Sequence, residues 1–227
     1  MTFSAMRHNH IGERITTLHA TLPQGVTLIA VSKYHPTDAV QAAYDAGQRD
    51  FGESKAQDLT AKHDALPKDI NWHFIGHLQT NKVKYIAPSV HLIHSIDSYK
   101  LLCEVNRQGA KASRTIPCLL QIHIAQEETK FGLTPQECRE LLAQGEWRTL
   151  ENIELRGIMC MASNTDDQEQ IAGEFSQAQQ LFNEIKELYF ADNERFSIIS
   201  AGMSDDHPIA IEHGSTHIRL GSSIFCE

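Results

Sequence analysis

Lys33 closes the apolar run V-T-L-I-A-V-S (26–32), so a primary amine stands where a buried strand gives way to a loop. Low-dielectric walls at a barrel mouth favour the neutral form of such an amine, and a neutral amine is the nucleophile that condenses with an aldehyde cofactor as a Schiff base. A lysine that merely ends a strand in solvent fits that position equally well. Two turns further along could hold an anion. The stretch S-A-G-M-S-D-D (200–206) turns through glycine into a short helix, where the Ser204 hydroxyl and the following backbone N–H groups can face a phosphate. Arg219, Leu220, Gly221 and Ser222 supply a second turn whose glycine lets backbone approach closely. An ordinary turn with a helix cap is the plainer reading of each. Arg219 and Leu220 alternate along a strand, so with Leu220 toward the helices the guanidinium points inward. Aimed at a pyridine nitrogen it would donate a hydrogen bond, keep that nitrogen unprotonated and make the ring a weak electron sink, suited to holding or modest proton chemistry rather than to decarboxylation or transamination. A salt bridge to a carboxylate such as Glu53 is the structural alternative.

Elements able to position these residues repeat along almost the whole length. After a helical segment (5–21), β-branched apolar runs fall at 26–32, 49–53, 71–76, 90–96, 117–124, 153–161, 195–200 and 216–222, separated by stretches of helical period. Thr134 and Pro135 read as a cap with proline at the first helical position, and Asp97 or Ser98 can cap the helix before them. Eight strands alternating with helices predict a single (β/α)8 TIM barrel over 1–227 with an extra N-terminal helix; a doubly wound open sheet is the runner-up. In such barrels the chemistry sits at the carboxyl ends of the strands, and the loops after the last two strands recur as phosphate sites. That rule selects Ser32 and Lys33, Gly52 and Glu53, Gly76 and His77, Ser95, the loop past His123 toward Lys130, Met159 to Met161, Ser200 to Ser204, and Arg219 to Ser222.

The 227 residues carry a formal charge of −9, which argues against a protein that grips nucleic acid through clustered Lys and Arg. No run is long and apolar enough to span a membrane and the opening residues lack the apolar core of a secretory signal, so a soluble, cytoplasmic protein is expected. Cys103, Cys118, Cys138, Cys160 and Cys226 form no C-x-x-C pair and read as reduced thiols. His73 with His77 and His213 with His217 have four-residue spacing without H-E-x-x-H, so the histidines are read as surface and loop residues and no metal is expected.

The sequence resembles the pyridoxal phosphate homeostasis proteins, relatives of the N-terminal barrel of alanine racemase. The likeness rests on L-I-A-V-S-K ending at Lys33, F-G-E (51–53), W-H-F-I-G-H-L-Q-T-N-K (72–82), H-S-I-D (94–97), K-F-G (130–132), R-G-I-M-C-M (156–161), G-M-S-D-D (202–206) and H-I-R-L-G-S-S-I-F (217–225). It implies a fold-type III barrel binding pyridoxal 5'-phosphate (PLP) as a Schiff base on Lys33, with Arg219 at the pyridine nitrogen, Ser204, Gly221 and Ser222 at the phosphate, and Ser200 and Met203 lining the surroundings. Lys130 matches a second family lysine that receives or passes on the cofactor. The implied role is a non-catalytic, monomeric carrier in vitamin B6 homeostasis that supplies apo-enzymes. A small alanine-racemase-like racemase using Lys33 as one base is the alternative. Such an enzyme needs a second base, which alanine racemases bring from an extra domain, and no such domain is expected after the last strand. Two departures stand out: Ser54 replaces the asparagine of the family's F-G-E-N-Y, and Ser222 replaces a threonine while keeping the hydroxyl.

Overall fold

The computed structural model describes residues 3–126 and 131–226, with side chains from His10 onward. The chain runs α1 (Phe3–Thr21), β1 (Thr27–Val31), α2 (Thr37–Asp45), β2 (Asp50–Glu53), α3 (Ala56–Ala65), β3 (Asn71–Phe74), α4 (Val83–Ile86) and β4 (Leu92–Ile96). It continues α5 (Tyr99–Lys111), β5 (Ile116–Ile122), α6 (Pro135–Gln144), β6 (Ile153–Cys160), α7 (Gln168–Tyr189), β7 (Ile198–Ser200), α8 (His207–Glu212), β8 (His217–Leu220) and α9 (Ser222–Phe225). All eight expected strands form, and every neighbouring pair is parallel. β8 pairs with β1, from Thr27 opposite His217 to Ala30 opposite Leu220, which closes the sheet into a (β/α)8 barrel and removes the open-sheet alternative.

Local chemistry sets the helix ends. Ser98 accepts a hydrogen bond from the Leu101 N–H at the start of α5. Thr134 and Glu137 form a reciprocal capping box at α6, with Pro135 inside the first turn, so two orphan donors are satisfied where the sequence signals a start. The last strand is shorter than expected: it stops at Leu220, and Ser222 opens α9 instead of continuing the strand.

Alternation along the strands divides the side chains into two sets. Phe51, Trp72, Phe74, Ile93, Leu120, Ile218 and Leu220 point outward and are buried against the helical ring. Inside the barrel, Leu92, Leu119 and Met159 form an apolar cluster with Met161 and Ile198. The interior also holds the apolar Ile29, beside Gly52, and the polar His73, His94, Ser200 and Arg219, all at least 95 % buried. These histidines are therefore interior strand residues, not the surface and loop groups expected; in β3 and β8 polar residues at every second position turn inward because the outward positions between them are apolar, and in β4 His94 turns inward between Ile93 and Ser95.

Candidate functional site

Lys33 lies two residues beyond β1 and is exposed, so the apolar walls expected around its amine are absent. It makes no hydrogen bond among the described residues; its Nζ lies 5.9 Å from the ring centroid of Tyr34. Tyr34 adopts φ 69°, a left-handed conformation that costs an aromatic residue about 1–3 kcal/mol and is over-represented at functional turns. The ring is 75 % exposed and faces solvent. What holds this turn in place is a buried cluster behind it. Ser32 Oγ donates to Glu53 Oε1 at 2.6 Å, and Lys62 Nζ on α3 donates to both Glu53 Oε1 (2.6 Å) and the Ser32 carbonyl (2.8 Å).

Glu53 is thus taken by Lys62 and is no partner of Arg219. The Arg219 guanidinium, 5 % exposed, donates from Nη1 to Ser200 Oγ (2.7 Å) and from Nη2 to the Cys160 carbonyl (2.9 Å). Two of its five N–H groups are engaged by the described residues, which leaves donors free for an incoming acceptor. Ser200 continues a chain across the interior: its Oγ lies 3.0 Å from His94 Nδ1, His94 Nε2 is 2.9 Å from His73 Nδ1, and His73 Nε2 is 3.0 Å from Asp50 Oδ1.

Above Arg219 the turns after β7 and β8 meet. Gly202 has φ 93°, and a Cβ there would sit 2.8 Å from Ala210 Cβ and 2.9 Å from His207 Cα, so only glycine brings the turn this close to α8. The Met203 N–H donates to Asp206 Oδ1 (2.5 Å), which ties the turn shut and leaves the Met203 side chain exposed. Ser222 Oγ donates to Ser204 Oγ (2.9 Å), and Ser223 Oγ lies 3.4 Å from Ser204 Oγ, so three hydroxyls cluster at the surface. A Cβ on Gly221 would sit 3.3 Å from the Val31 carbonyl, which places this cluster on the same rim as the exit of β1 toward Lys33. Ser223 was not singled out from the sequence; its place at the start of α9 follows only once the strand is known to end at Leu220.

The remaining expected positions fall elsewhere. Ser95 points away from the interior, buried with its hydroxyl unpaired. His77 stacks on Phe131 (centroids 4.0 Å apart) with Nδ1 3.3 Å from Asp97. Ser54 lines a small pocket with Lys55, His77 and Lys82. A cavity of about 320 Å³ opens between the loops after β6 and β7, and of the expected cofactor residues only Met203 lines it. Lys130 lies outside the described residues. All five cysteines are free, and burial pushes the Cys138 and Cys160 thiols up to about 12, so they stay protonated and unreactive.

Burial lowers His94, within this chain, and His217, beside it: His94 falls well below the usual histidine range, helped by the charges of His73 and Arg219, and His217 is pushed down to about 4. Asp50 on β2, His73 on β3 and His91 before β4 act on His217 through their charges. For Asp50, burial alone would raise the carboxyl, but hydrogen bonds from His73 and Asn71 lower it. A histidine depressed from 6.5 to about 4 binds its proton more readily when unfolded. Its contribution to stability is therefore complete above pH 6.5 and is lost as pH falls from there toward 4, by up to about 3 kcal/mol for His217. Urea unfolding at pH 7.5 and pH 5 should show about 2 kcal/mol of that loss, and His217→Gln should flatten the dependence. An equal slope in wild type and variant would remove His217 as its source.

Comparison with known proteins gives a consistent set of relatives. The family described as alanine racemase, N-terminal domain, matches residues 5–227. The pyridoxal phosphate homeostasis protein of Helicobacter pylori strain 26695 is 37% identical over 204 residues, 89% of this chain and 88% of that protein. The protein of the same description from Synechocystis is 37% identical over 212 residues, 91% and 93% of the two chains. PipY of Synechococcus elongatus, solved with PLP bound, superimposes with a TM-score of 0.85 at 35% identity, covering 95% of this chain and 99% of that one. Alanine racemase from E. faecalis shares the fold, with a TM-score of 0.72 at 16% identity over 94% of this chain and 57% of the racemase. No helix among the described residues is long and apolar enough to cross a membrane.

Proposed function

Because the chain belongs to the alanine racemase N-terminal domain family and, within it, to the pyridoxal phosphate homeostasis proteins, we propose that it binds PLP at the β1, β7 and β8 rim and takes part in the homeostasis of that cofactor. The whole of 1–227 acts as one cofactor-binding domain. The observation that carries this reading is the buried Arg219 with unused donors beneath a cluster of serine hydroxyls, on the rim that carries a free lysine. Those residues fit the cofactor. When bound, PLP supplies an aldehyde, a pyridine nitrogen and a phosphate.

Each part meets a complementary group. Lys33 provides the primary amine, exposed at the rim. Ser204, Ser222 and Ser223 turn hydroxyl hydrogens toward phosphate oxygens, and Gly221 keeps the backbone low enough to let the anion approach. Arg219 donates a hydrogen bond to the ring nitrogen and holds its own proton, while Ser200 and the Cys160 carbonyl fix the guanidinium plane. Met203, with its exposed apolar side chain, would line the cofactor's surroundings. An arginine at that nitrogen favours holding the cofactor over drawing electrons from a substrate, so the protein carries PLP, without turnover, to apo-enzymes and works as a cytoplasmic monomer. Likeness to racemases at 16% identity supports the fold alone.

Borohydride reduction of the PLP-treated protein, followed by peptide mapping, tests the reading: label confined to Lys33 supports it, and label scattered over surface lysines overturns it. An amino-acid racemisation assay on the same sample should show no turnover. Arg219→Gln removes hydrogen bonds to a charged donor and should weaken PLP binding by about 1.5–3 kcal/mol, roughly 10- to 100-fold, with a changed visible spectrum. An unchanged spectrum and affinity would take Arg219 out of the site.

A further inference from the structure

We propose that the amino end of the barrel, opposite the cofactor rim, binds a divalent first-row transition metal ion through Asp50, His73 and His91. Asp50 opens β2, His73 lies in β3 and His91 immediately precedes β4, so three adjacent strands converge their ligands on one point. One ligand atom from each lies within 4.8 Å of the other two. Two imidazoles and one carboxylate are the donor set of three-ligand zinc sites that keep a fourth position for water; calcium and magnesium prefer oxygen ligands throughout.

The surroundings are those of a supported ligand set. His73 turns Nε2 toward the cluster while Nδ1 is held 2.9 Å from His94 Nε2, and Asn71 Nδ2 donates to Asp50 Oδ1 at 3.1 Å. Such outer contacts orient metal ligands. His217 stands beside the three, its Nδ1 3.0 Å from Thr216 Oγ1. His91 is exposed and the Asp50 side chain is 25% exposed, so an ion has a path from solvent without opening the barrel.

Binding has a consequence inside the barrel. Arginine can only donate and a carboxylate can only accept, so with both rings neutral every hydrogen bond from Arg219 to Asp50 points one way. Ser200 donates to His94 Nδ1, His94 Nε2–H to His73 Nδ1, and His73 Nε2–H to Asp50. An ion on His73 Nε2 displaces that hydrogen. Each ring then keeps one proton but carries it on Nδ1, and the bonds between His73 and Ser200 reverse direction. No proton is gained or lost overall, and the site stands independently of the cofactor reading.

The full-length protein, stripped with chelator and free of PLP, is titrated with Zn²⁺ by calorimetry and with Co²⁺ by visible spectroscopy. Expected are one ion per chain and ligand-field bands of bound cobalt. His91→Ala and Asp50→Asn should each weaken binding at least roughly tenfold, whereas His10→Ala, on the exposed face of α1, should not. His91→Ala removes an exposed side chain, so it keeps the test open if Asp50→Asn fails to fold. The ¹⁵N signals of His73 and His94 should exchange tautomer on addition of Zn²⁺. Absence of saturable binding, or binding undiminished in His91→Ala, overturns the proposal.

Discussion

Lys33→Ala is expected to abolish covalent capture of PLP completely while leaving the barrel folded. The side chain is exposed and makes no hydrogen bond among the described residues, so its truncation falls among surface changes worth within about 0.5 kcal/mol. The amine has no substitute in the turn: Ser32 is buried against Glu53, and Tyr34 offers no nucleophilic nitrogen. Phosphate and ring contacts remain, so the variant should still bind PLP, reversibly and more weakly. Borohydride trapping read by intact mass makes the comparison, with wild type gaining one reduced phosphopyridoxyl group (the cofactor less water plus two hydrogens) and the variant none. Equal trapping in both proteins would place the amine elsewhere.

The second large effect is on stability. Lys62→Met should destabilise the fold by about 3–5 kcal/mol at neutral pH, because the Glu53 carboxylate would remain buried without its counter-ion. Glu53 is fully buried, and its Oε2 has no partner even in the intact cluster. That loss is a large share of the roughly 5–15 kcal/mol that holds a domain together. Adding Glu53→Leu should recover much of it, since removing both charges leaves nothing to neutralise. Urea unfolding of the single and double variants reads the difference directly. A single variant within 1 kcal/mol of wild type would mean that water reaches the carboxylate. Because Lys62 also binds the Ser32 carbonyl, the variant should capture PLP more slowly than its residual fold predicts.

Much of this architecture is legible in the amino-acid order. Buried parallel strands are apolar enough to mark themselves, and Thr134 with Pro135 announces α6 by capping chemistry alone. The turns after the seventh and eighth strands were legible too, since their glycines mark where the chain leaves each strand. The interior was less so. Lys62 reads as one more solvated lysine on an amphipathic helix, and only the packing of α3 against the end of β2 reveals its buried partner. His73, His94 and His217 have no common spacing because each comes from a different strand. The usable signal was period two: Asn71 and His73, or His217 and Arg219, put polar groups on the same side of strands whose other side is apolar. The low-dielectric walls expected beside the Lys33 amine are missing because β1 ends at Val31, two residues before it.

The pairing of β8 with β1 also sets a clock. Thr27 and His217 are adjacent in the sheet but about 190 residues apart in the chain, an interval that a ribosome covers in roughly 10–40 s. Lys33 emerges at the beginning of that interval, whereas Ser204, Arg219 and Ser222 emerge at its end. Until β8 is made, β1 has an unpaired edge of the kind that templates aggregation. On the proposed reading, a nascent chain displays the lysine before the arginine and hydroxyls that would retain a cofactor on it are made, so retention of PLP is expected only once synthesis has passed the last strand.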